Sequence, residues 1–176
     1  MTAVTIDTPA GAFVARFSGH GLAQLDFPGS KRPANARPSE TCTTHSNPRW
    51  IELTNNAVLA ILSGHHPAKL PPLDVSTGTG FQQRVWSALR KILPGETRSY
   101  GEVAAAIRSP KATRAVGGAC GANRIPLLIP CHRVLASGGR LGGFSGGLEW
   151  KKRLLMVEGV IAPELPARAE SPGVDS

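Results

Sequence analysis

The first 27 residues alternate short apolar stretches with turn-forming residues. Val4-Thr5-Ile6 and the stretches 13–17 and 22–27 are separated by Thr8-Pro9-Ala10-Gly11 and by Gly19-His20-Gly21. Short strands divided by glycine and proline are typical of an antiparallel sheet. The pattern therefore predicts a small meander at the start of the chain.

A loop, a helix and a connector follow the meander. Residues 28–47 are rich in Pro, Ser, Thr and Arg, which predicts a loop. Asn47-Pro48 is a favourable helix start, and apolar residues then recur at helical spacing until Gly64. These apolar residues are Trp50, Leu53, Ala57, Ala60 and Ile61. The connector at 65–80 contains one candidate strand, at 70–75.

The next part of the chain has helical periodicity. An amphipathic pattern predicts a helix from Phe81 to Ile92, closed by Pro94-Gly95. Ser99-Tyr100-Gly101-Glu102 is a capping box that opens a second helix. After a break at Ser109-Pro110, residues 111–122 are expected to form a third helix. Two helices joined by a short turn are typical of a helix-turn-helix.

Two further elements complete the pattern. The glycine-rich residues 137–147 predict a wing-like loop. Leu148, Lys152, Leu155 and Met156 then predict a last helix, which ends at Glu158-Gly159.

The net charge of +8 is concentrated in one part of the chain. Residues 81–160 carry 13 Lys or Arg and 4 Glu, a net of +9, whereas the remainder carries 7 basic and 8 acidic residues. This asymmetry is expected of a protein that binds a polyanion. A basic, solvated surface is the alternative.

Composition also predicts location and redox state. No stretch is apolar enough to span a bilayer, and the chain start has no signal pattern, so we expect a cytoplasmic protein without membrane contact. The odd count of three cysteines predicts no disulfide framework. The candidate zinc ligands fit no compact motif, so no metal site is expected. Those candidates are Cys42, His45, His65 and His66.

Cys131 and His132 stand at the end of an apolar run. Residues 125–129 are predicted to be buried as a short strand or extended segment, and Pro130 ends regular pairing. A thiolate is a strong nucleophile that a neighbouring base or cation makes available at neutral pH. The alternative is a buried structural cysteine beside a satisfied histidine. Adjacent side chains in a regular element face apart, so contact between these two requires a turn or a bridging water.

Two other residues are candidates for supporting the thiol. A histidine that takes a thiol proton needs an orienting acid, and Glu158 at the end of the last helix is the candidate, with a plain surface role as the alternative. Asn123, just after the third helix, is predicted to be a left-handed cap whose side chain pins the following turn.

The third helix has almost no side-chain bulk beyond Arg114. Each of its two central glycines costs a helix about 1 kcal/mol relative to alanine, so a compensating contact is expected. One candidate is a nucleic-acid groove, with the arginine directed at the base stack. The other is close packing against a second helix. The basic charge of this part of the chain favours DNA.

Several other activities are excluded by missing motifs. Gly143-Phe144-Ser145-Gly146-Gly147 fits the nucleophile elbow of serine hydrolases, but no histidine follows His132 in the chain. A glycine-rich dinucleotide fingerprint and a phosphate-binding P-loop are both missing, so no cofactor is expected. A thiol without a cofactor must turn over a labile substrate or react once.

Six motifs of the second half occur in a distinctive order. They are Phe81-Gln82-Gln83-Arg84-Val85-Trp86, Gly95-Glu96-Thr97-Arg98-Ser99-Tyr100, Arg114-Ala115-Val116-Gly117-Gly118-Ala119, Ile129-Pro130-Cys131-His132-Arg133-Val134, 142–147, and Lys151 to Gly159. In order and spacing, 81–159 resembles the C-terminal domain of O6-alkylguanine-DNA alkyltransferases, also called methylated-DNA–protein-cysteine methyltransferases. The first 80 residues resemble that family in layout only.

The resemblance implies an activity and a set of catalytic residues. One alkyl group is transferred irreversibly from guanine O6, or less readily thymine O4, in double-stranded DNA to Cys131. His132 takes the thiol proton through a water molecule, Glu158 orients His132, and Asn123 shapes the turn that holds the thiol. No cofactor takes part.

The resemblance also implies how the DNA is bound. The third helix lies in the minor groove, Arg114 fills the gap left by a flipped nucleotide, and Tyr100 helps to rotate that nucleotide and hydrogen-bonds its base. Backbone groups of Cys131 and Val134, with Ser145, read the guanine edge. Flipping is needed because O6 is inaccessible to a thiol in a stacked duplex. Further DNA-facing residues implied are Ala115, Gly117 and Gly118.

The implied fold is α+β with two domains, in a monomer. Residues 1–75 form a small ribonuclease-H-like antiparallel sheet with a helix, residues 76–161 form a winged helix-turn-helix-like domain, and residues 162–176 are a disordered tail. Phe144 stands where many family members have tyrosine, so a hydroxyl contact is missing there. The alternative function is a non-catalytic winged-helix module that binds DNA.

Overall fold

The computed structural model describes residues 1–30 and 47–162, so most of the loop predicted at 28–47 and all but the first residue of the tail predicted at 162–176 lie outside the described residues. The chain starts with three strands: β1 at Thr2–Thr8, β2 at Gly11–Ser18 and β3 at Gly21–Asp26. They form an antiparallel sheet in the order β1-β2-β3. The predicted meander is confirmed.

One face of this sheet is buried because apolar residues alternate along β2. Phe13, Ala15 and Phe17 point into the core, with Leu22 and Leu25 of β3 beside them. The connector pairs with β3 through one isolated bridge, between Leu22 and Leu73. The strand predicted at 70–75 is therefore wrong, since this proline-containing segment supports only that bridge.

Helix α1, at Pro48–Leu62, packs against the sheet. The Asn47 side chain accepts a hydrogen bond from the backbone N–H of Arg49 at 3.0 Å, as expected of a helix cap. Gly64 follows the helix with a positive φ of 76°. An added Cβ there would collide with the carbonyl of Val157, so this turn brings the end of α1 against the end of the last helix.

Four more helices form the second half: α2 at Gly80–Leu89, α3 at Tyr100–Ala106, α4 at Thr113–Gly121 and α5 at Leu148–Val157. The capping box at Ser99 and Glu102 is present in full. The indole N–H of Trp86 on α2 donates to the carbonyl of Ala119 on α4 at 2.9 Å. Helix α2 ends three residues earlier than predicted, although Ile92 is still buried.

The segment between α4 and Cys131 corrects two predictions. Residues 125–129 do not form a strand: the N–H of Ile129 donates to the carbonyl of Ile125 at 3.0 Å, and Leu127 has a positive φ of 72°. Pro126 within the segment and Pro130 after it limit the ladder hydrogen bonds that a strand needs. Asn123 is not left-handed either, because Ala122 closes α4 with right-handed geometry.

The remaining elements are short. A 3₁₀ helix at Cys131–Arg133 leads into β5 at Val134–Leu135, which pairs in parallel with β4 at Arg98–Ser99. A second 3₁₀ segment, Ser137–Gly139, starts the glycine-rich loop. Helix α5 buries Lys151, Leu154 and Leu155. Leu148 and Lys152, which the prediction places on the apolar face, are not buried, so the buried face is rotated by about one residue relative to the predicted one.

The described residues thus form a small antiparallel sheet combined with helices around one apolar core. None of their helices has the length and apolar character needed to cross a membrane.

Candidate active site

Cys131 lies at the start of a 3₁₀ helix directly after Pro130. Its side chain is buried, with 3% of the residue exposed. The N–H of Cys131 donates to the carbonyl of Ile129 at 2.8 Å, which makes a tight turn between the apolar run and the 3₁₀ helix. In a strand, successive side chains would point to opposite faces. The turn removes this constraint, so the side chain of Cys131 can approach those of its neighbours.

Asn123 holds this turn through three hydrogen bonds. Its amide nitrogen donates to the carbonyl of Ile129 at 2.8 Å and to Sγ of Cys131 at 3.2 Å. Its amide oxygen accepts from the N–H of Ile125 at 3.0 Å, which fixes the orientation of the amide. The side chain pins the following turn, as the sequence predicted, although the backbone conformation differs.

The thiol is protonated in this environment at neutral pH. Burial raises the pKa of Cys131 to about 11, and the Asn123 hydrogen bond and the nearby Lys151 ammonium only partly oppose that effect. A buried thiol of this kind becomes nucleophilic only when a base removes its proton. The site must therefore supply such a base next to Cys131.

His132 has the properties of that base. Its Nε2 lies 3.0 Å from Oε1 of Glu158, and both side chains are buried. An ionised carboxylate can only accept, so the proton of the neutral ring is on Nε2 and Nδ1 carries a lone pair. Nδ1 is buried and has no hydrogen-bond partner among the described residues.

Burial keeps the histidine neutral, and hydrogen bonds keep its partner ionised. Burial lowers the pKa of His132, although the Glu158 carboxylate opposes this effect. Burial alone would raise the pKa of Glu158, but hydrogen bonds from His132 and Arg133 lower it to about 2. A neutral imidazole next to a fixed carboxylate can accept a proton.

Arg133 anchors the carboxylate, a role that the sequence reasoning missed. Its Nη2 lies 2.7 Å from Oε1 of Glu158, and its Nε donates to both carboxylate oxygens at 3.1 Å. Its Nη1 donates to the carbonyl of Ile92 at 2.6 Å. The sequence did contain a signal for this role, because Arg133 lies in a motif that was expected to be buried. A buried guanidinium requires a carboxylate partner.

Lys151 was also missed as a site residue. It is fully buried on α5, and its Nζ donates to the carbonyls of Val134 at 2.7 Å and Gly143 at 3.5 Å. Burial lowers the pKa of Lys151, while the two nearby cysteines raise it. The ammonium thus ties the strand after Cys131 to the glycine-rich loop and places positive charge near the thiol.

Helix α4 presents its small residues outward. Arg114, Ala115 and Gly118 are exposed. An added Cβ at Gly118 would meet nothing within 4 Å, and one at Gly117 would only touch the Tyr100 ring at 3.9 Å. Close helix packing would place neighbours at these positions, so the surface is open to a ligand. Since Asn123 follows α4, this surface ends beside the thiol.

Tyr100 stands between α4 and the glycine-rich loop. Its hydroxyl oxygen is 3.1 Å from the position that a Cβ on Gly142 would occupy. Burial raises the pKa of Tyr100, so its hydroxyl keeps its proton. Ser145 is exposed on the same loop, and the carbonyl of Val134 retains one lone pair beside its bond to Lys151.

The structure therefore brings the predicted residues into two groups. Asn123 is hydrogen-bonded to Cys131, and His132, the next residue in the chain, is hydrogen-bonded to Glu158; the exposed residues of α4 form the second group. Among residues 1–30 and 47–162, no group of His, Cys, Asp and Glu side chains could hold a metal ion. Of the zinc candidates, Cys42 and His45 lie outside the described residues.

Comparison with known proteins connects this arrangement to an activity. The family model for the DNA-binding domain of 6-O-methylguanine DNA methyltransferase matches residues 80–160. A methylated-DNA–protein-cysteine methyltransferase of Mycobacterium tuberculosis is 40% identical over 164 residues, covering 90% of this chain and 93% of that protein. The protein of the same name from Methanosarcina acetivorans is 36% identical over 158 residues, covering 87% and 95%.

Solved structures agree with the sequence matches. The crystal structure of the O6-methylguanine methyltransferase of M. tuberculosis has a TM-score of 0.72 at 40% identity and covers 92% of this chain and 94% of that one. The M. tuberculosis protein in complex with DNA has a TM-score of 0.69 at 39% identity, covering 88% and 90%. The enzyme from Pyrococcus kodakaraensis gives 0.65 at 25% identity, covering 90% and 98%.

Proposed function

The chain belongs to the family of methylated-DNA–protein-cysteine methyltransferases, and we propose that Cys131 is the residue that accepts the alkyl group. The activity is DNA repair by direct transfer of an alkyl group from guanine O6, or less readily thymine O4, to this cysteine. A thioether has no good leaving group, so each chain acts once.

The chemical step follows from the proton positions around Cys131. Nδ1 of His132 takes the thiol proton through a bridging water, and Glu158 stabilises the imidazolium that forms. The sulfur then attacks the alkyl carbon, a C–S bond forms, and the C–O6 bond breaks with its electron pair staying on guanine. The proton returns to the guanine, so the net change is thiol plus alkylguanine to thioether plus guanine.

The DNA is delivered by helices α3 and α4. We assign them as a helix-turn-helix whose second helix lies in the minor groove, with Ala115, Gly117 and Gly118 against the duplex. Arg114 enters the base stack and fills the gap left by the flipped nucleotide. The exposed, small-residue face of α4 supports this assignment, because a bulkier helix would hold the backbone away from the groove.

The flipped base is held between α3 and the glycine-rich loop. Tyr100 helps to rotate the nucleotide and hydrogen-bonds the base. Backbone groups at Cys131 and Val134, with Ser145, read the guanine edge. Phe144 supplies an apolar wall without the hydroxyl that a tyrosine would bring.

We also propose a division of the chain into two domains. Residues 1–75 are a ribonuclease-H-like domain, and residues 76–161 are a winged helix-turn-helix domain that carries the site. The protein works as a cytoplasmic monomer, because one chain holds both the DNA-facing helix and the thiol.

One observation carries the assignment of Cys131. The residue after it in the chain is a neutral histidine whose Nε2 is committed to Glu158 and whose buried Nδ1 has no hydrogen-bond partner among the described residues. A purely structural cysteine needs no such base. Cys120, also buried, has a pKa raised to about 12, mainly by burial, and lacks a hydrogen bond to an amide side chain such as the one Asn123 makes to Cys131.

Incubation with duplex DNA that carries labelled O6-methylguanine tests the proposal. Label is expected on the protein, at no more than one equivalent per chain, and on the peptide that contains Cys131. The Cys131→Ala variant should accept none, whereas Cys120→Ala should accept label as the unaltered protein does. Continued turnover, or label on another cysteine, would refute the assignment.

A further inference from the structure

We infer that Phe27, at the end of the N-terminal sheet, is a positioning residue for the loop that carries Ser145. The inference rests on the proposed function, because it concerns how that loop is held next to the thiol. It gives the sheet a defined part in base recognition, although the sheet contains none of the proposed catalytic groups.

Phe27 belongs to an aromatic cluster that joins the two halves of the chain. Its ring centroid is 5.6 Å from that of Phe144 in the loop, and the two planes meet at 70°. It also lies 4.9 Å from Trp150 on α5 and 5.5 Å from Phe13 on β2. Since 7% of Phe27 is exposed, the ring is held firmly by its neighbours.

The other side of the loop also lies against this ring. A Cβ on Gly146 would be 2.5 and 2.6 Å from two carbons of Phe27, and 2.9 Å from the Phe144 ring. The residues on both sides of Ser145 therefore contact Phe27. At Gly80, the first residue of α2 and outside the loop, an added Cβ would meet nothing within 4 Å.

The clamped loop faces the reacting groups. The Phe144 ring meets the His132 ring edge-on, with centroids 6.3 Å apart. A cavity of about 430 Å³ beside the loop is lined by Phe27, Ser145 and Gly146, and by Gly121 at the end of α4. The Phe27 ring thus lines the space between the DNA-facing helix and the base-reading loop.

A loop with four glycines between residues 142 and 147 has high conformational freedom that binding would otherwise have to restrict. Contact with a rigid ring restricts it before the substrate arrives. Misplacing a substrate-positioning group by about 1 Å costs on the order of 100-fold in rate. Disturbing the clamp should therefore slow alkyl transfer while leaving DNA binding through α4 intact.

The test compares Gly146 in the loop with Gly80, the first residue of α2. Gly146→Ala is expected to slow single-turnover transfer from O6-methylguanine duplexes by roughly tenfold or more, whereas Gly80→Ala stays within about a factor of two. Affinity for an unmodified duplex should be unchanged in both. Phe27→Val alone removes the ring and is expected to slow transfer by a similar factor, and combining it with Gly146→Ala should add little further loss, because both changes act on the same contact.

An activity-independent measurement accompanies the kinetics. Amide hydrogen exchange over residues 142–147 should accelerate in Gly146→Ala and not in Gly80→Ala. Equal rates and equal exchange in these two variants would overturn the inference, as would additive losses in the double variant. An unaltered protein that accepts no label would refute the proposed function instead, and the exchange comparison would still decide on the clamp.

Discussion

Nε2 of His132 and Oε1 of Glu158 lie 3.0 Å apart, although 26 residues separate them in the chain. Both side chains are buried, and Arg133 holds the same carboxylate from the other side. The contact sets the tautomer of His132 and leaves its Nδ1 as a hydrogen-bond acceptor.

Replacing Glu158 by glutamine should slow alkyl transfer. The amide can still accept from Nε2 but carries no charge to stabilise an imidazolium, so a loss of roughly 10²-fold or more is expected. Single-turnover labelling with O6-methylguanine DNA measures it. Glu149→Gln, an exposed change in the first turn of the same helix, is the control and should react normally. Equal rates for the two variants would remove Glu158 from the mechanism.

The same carboxylate should make stability depend on pH in the acid range. The pKa of Glu158 falls from 4.5 to about 2 on folding, so its contribution is complete above about pH 5 and is lost as the pH drops towards 2. At 1.36 kcal/mol per pKa unit, the contribution is roughly 3 kcal/mol. Denaturant unfolding of the unaltered protein and of Glu158→Gln should give free energies that converge on acidification. A constant difference between pH 6 and 2 would contradict this.

The Lys151→Met substitution should slow alkyl transfer while changing the free energy of unfolding only slightly. The methionine fills similar space but cannot hold the carbonyls of Val134 and Gly143, so transfer is expected to slow by roughly tenfold. Removing a buried cation without a carboxylate partner costs little stability, so the free energy of unfolding should fall by less than about 1 kcal/mol. Labelling rates and denaturant unfolding measure the two effects. Lys91→Met, at an exposed site, is the control; a fully active Lys151→Met would refute the role.

Arg114→Ala should impair delivery of the base and leave the thiol chemistry unchanged. Transfer from duplex DNA is expected to fall by roughly tenfold or more, while reaction with free O6-benzylguanine stays within about a factor of two. Lys69→Ala, an exposed change in the connector, should alter neither quantity. Equal losses on DNA and on the free base would place Arg114 in the thiol site.

Local elements were predictable because their causes are local. The capping box at Ser99, the Asn47 cap and the alternation of Phe13, Ala15 and Phe17 each depend on residues within a few positions. The wrong predictions concern segments whose conformation depends on tertiary contacts. Residues 125–129 are apolar enough for a strand, but the Asn123 side chain and two prolines turn them instead.

The sequence by itself determined the sheet, most of the helices and the family that the chain resembles. The order of motifs around Cys131, the small residues of α4 and the excess of basic residues were all readable without coordinates, since each is a property of neighbouring residues. Only the tertiary structure decided which atom of His132 is free, that Arg133 holds Glu158, that Lys151 is buried, and that Phe27 reaches the loop. Those facts depend on burial and on contacts between residues far apart in the chain, which no local pattern records.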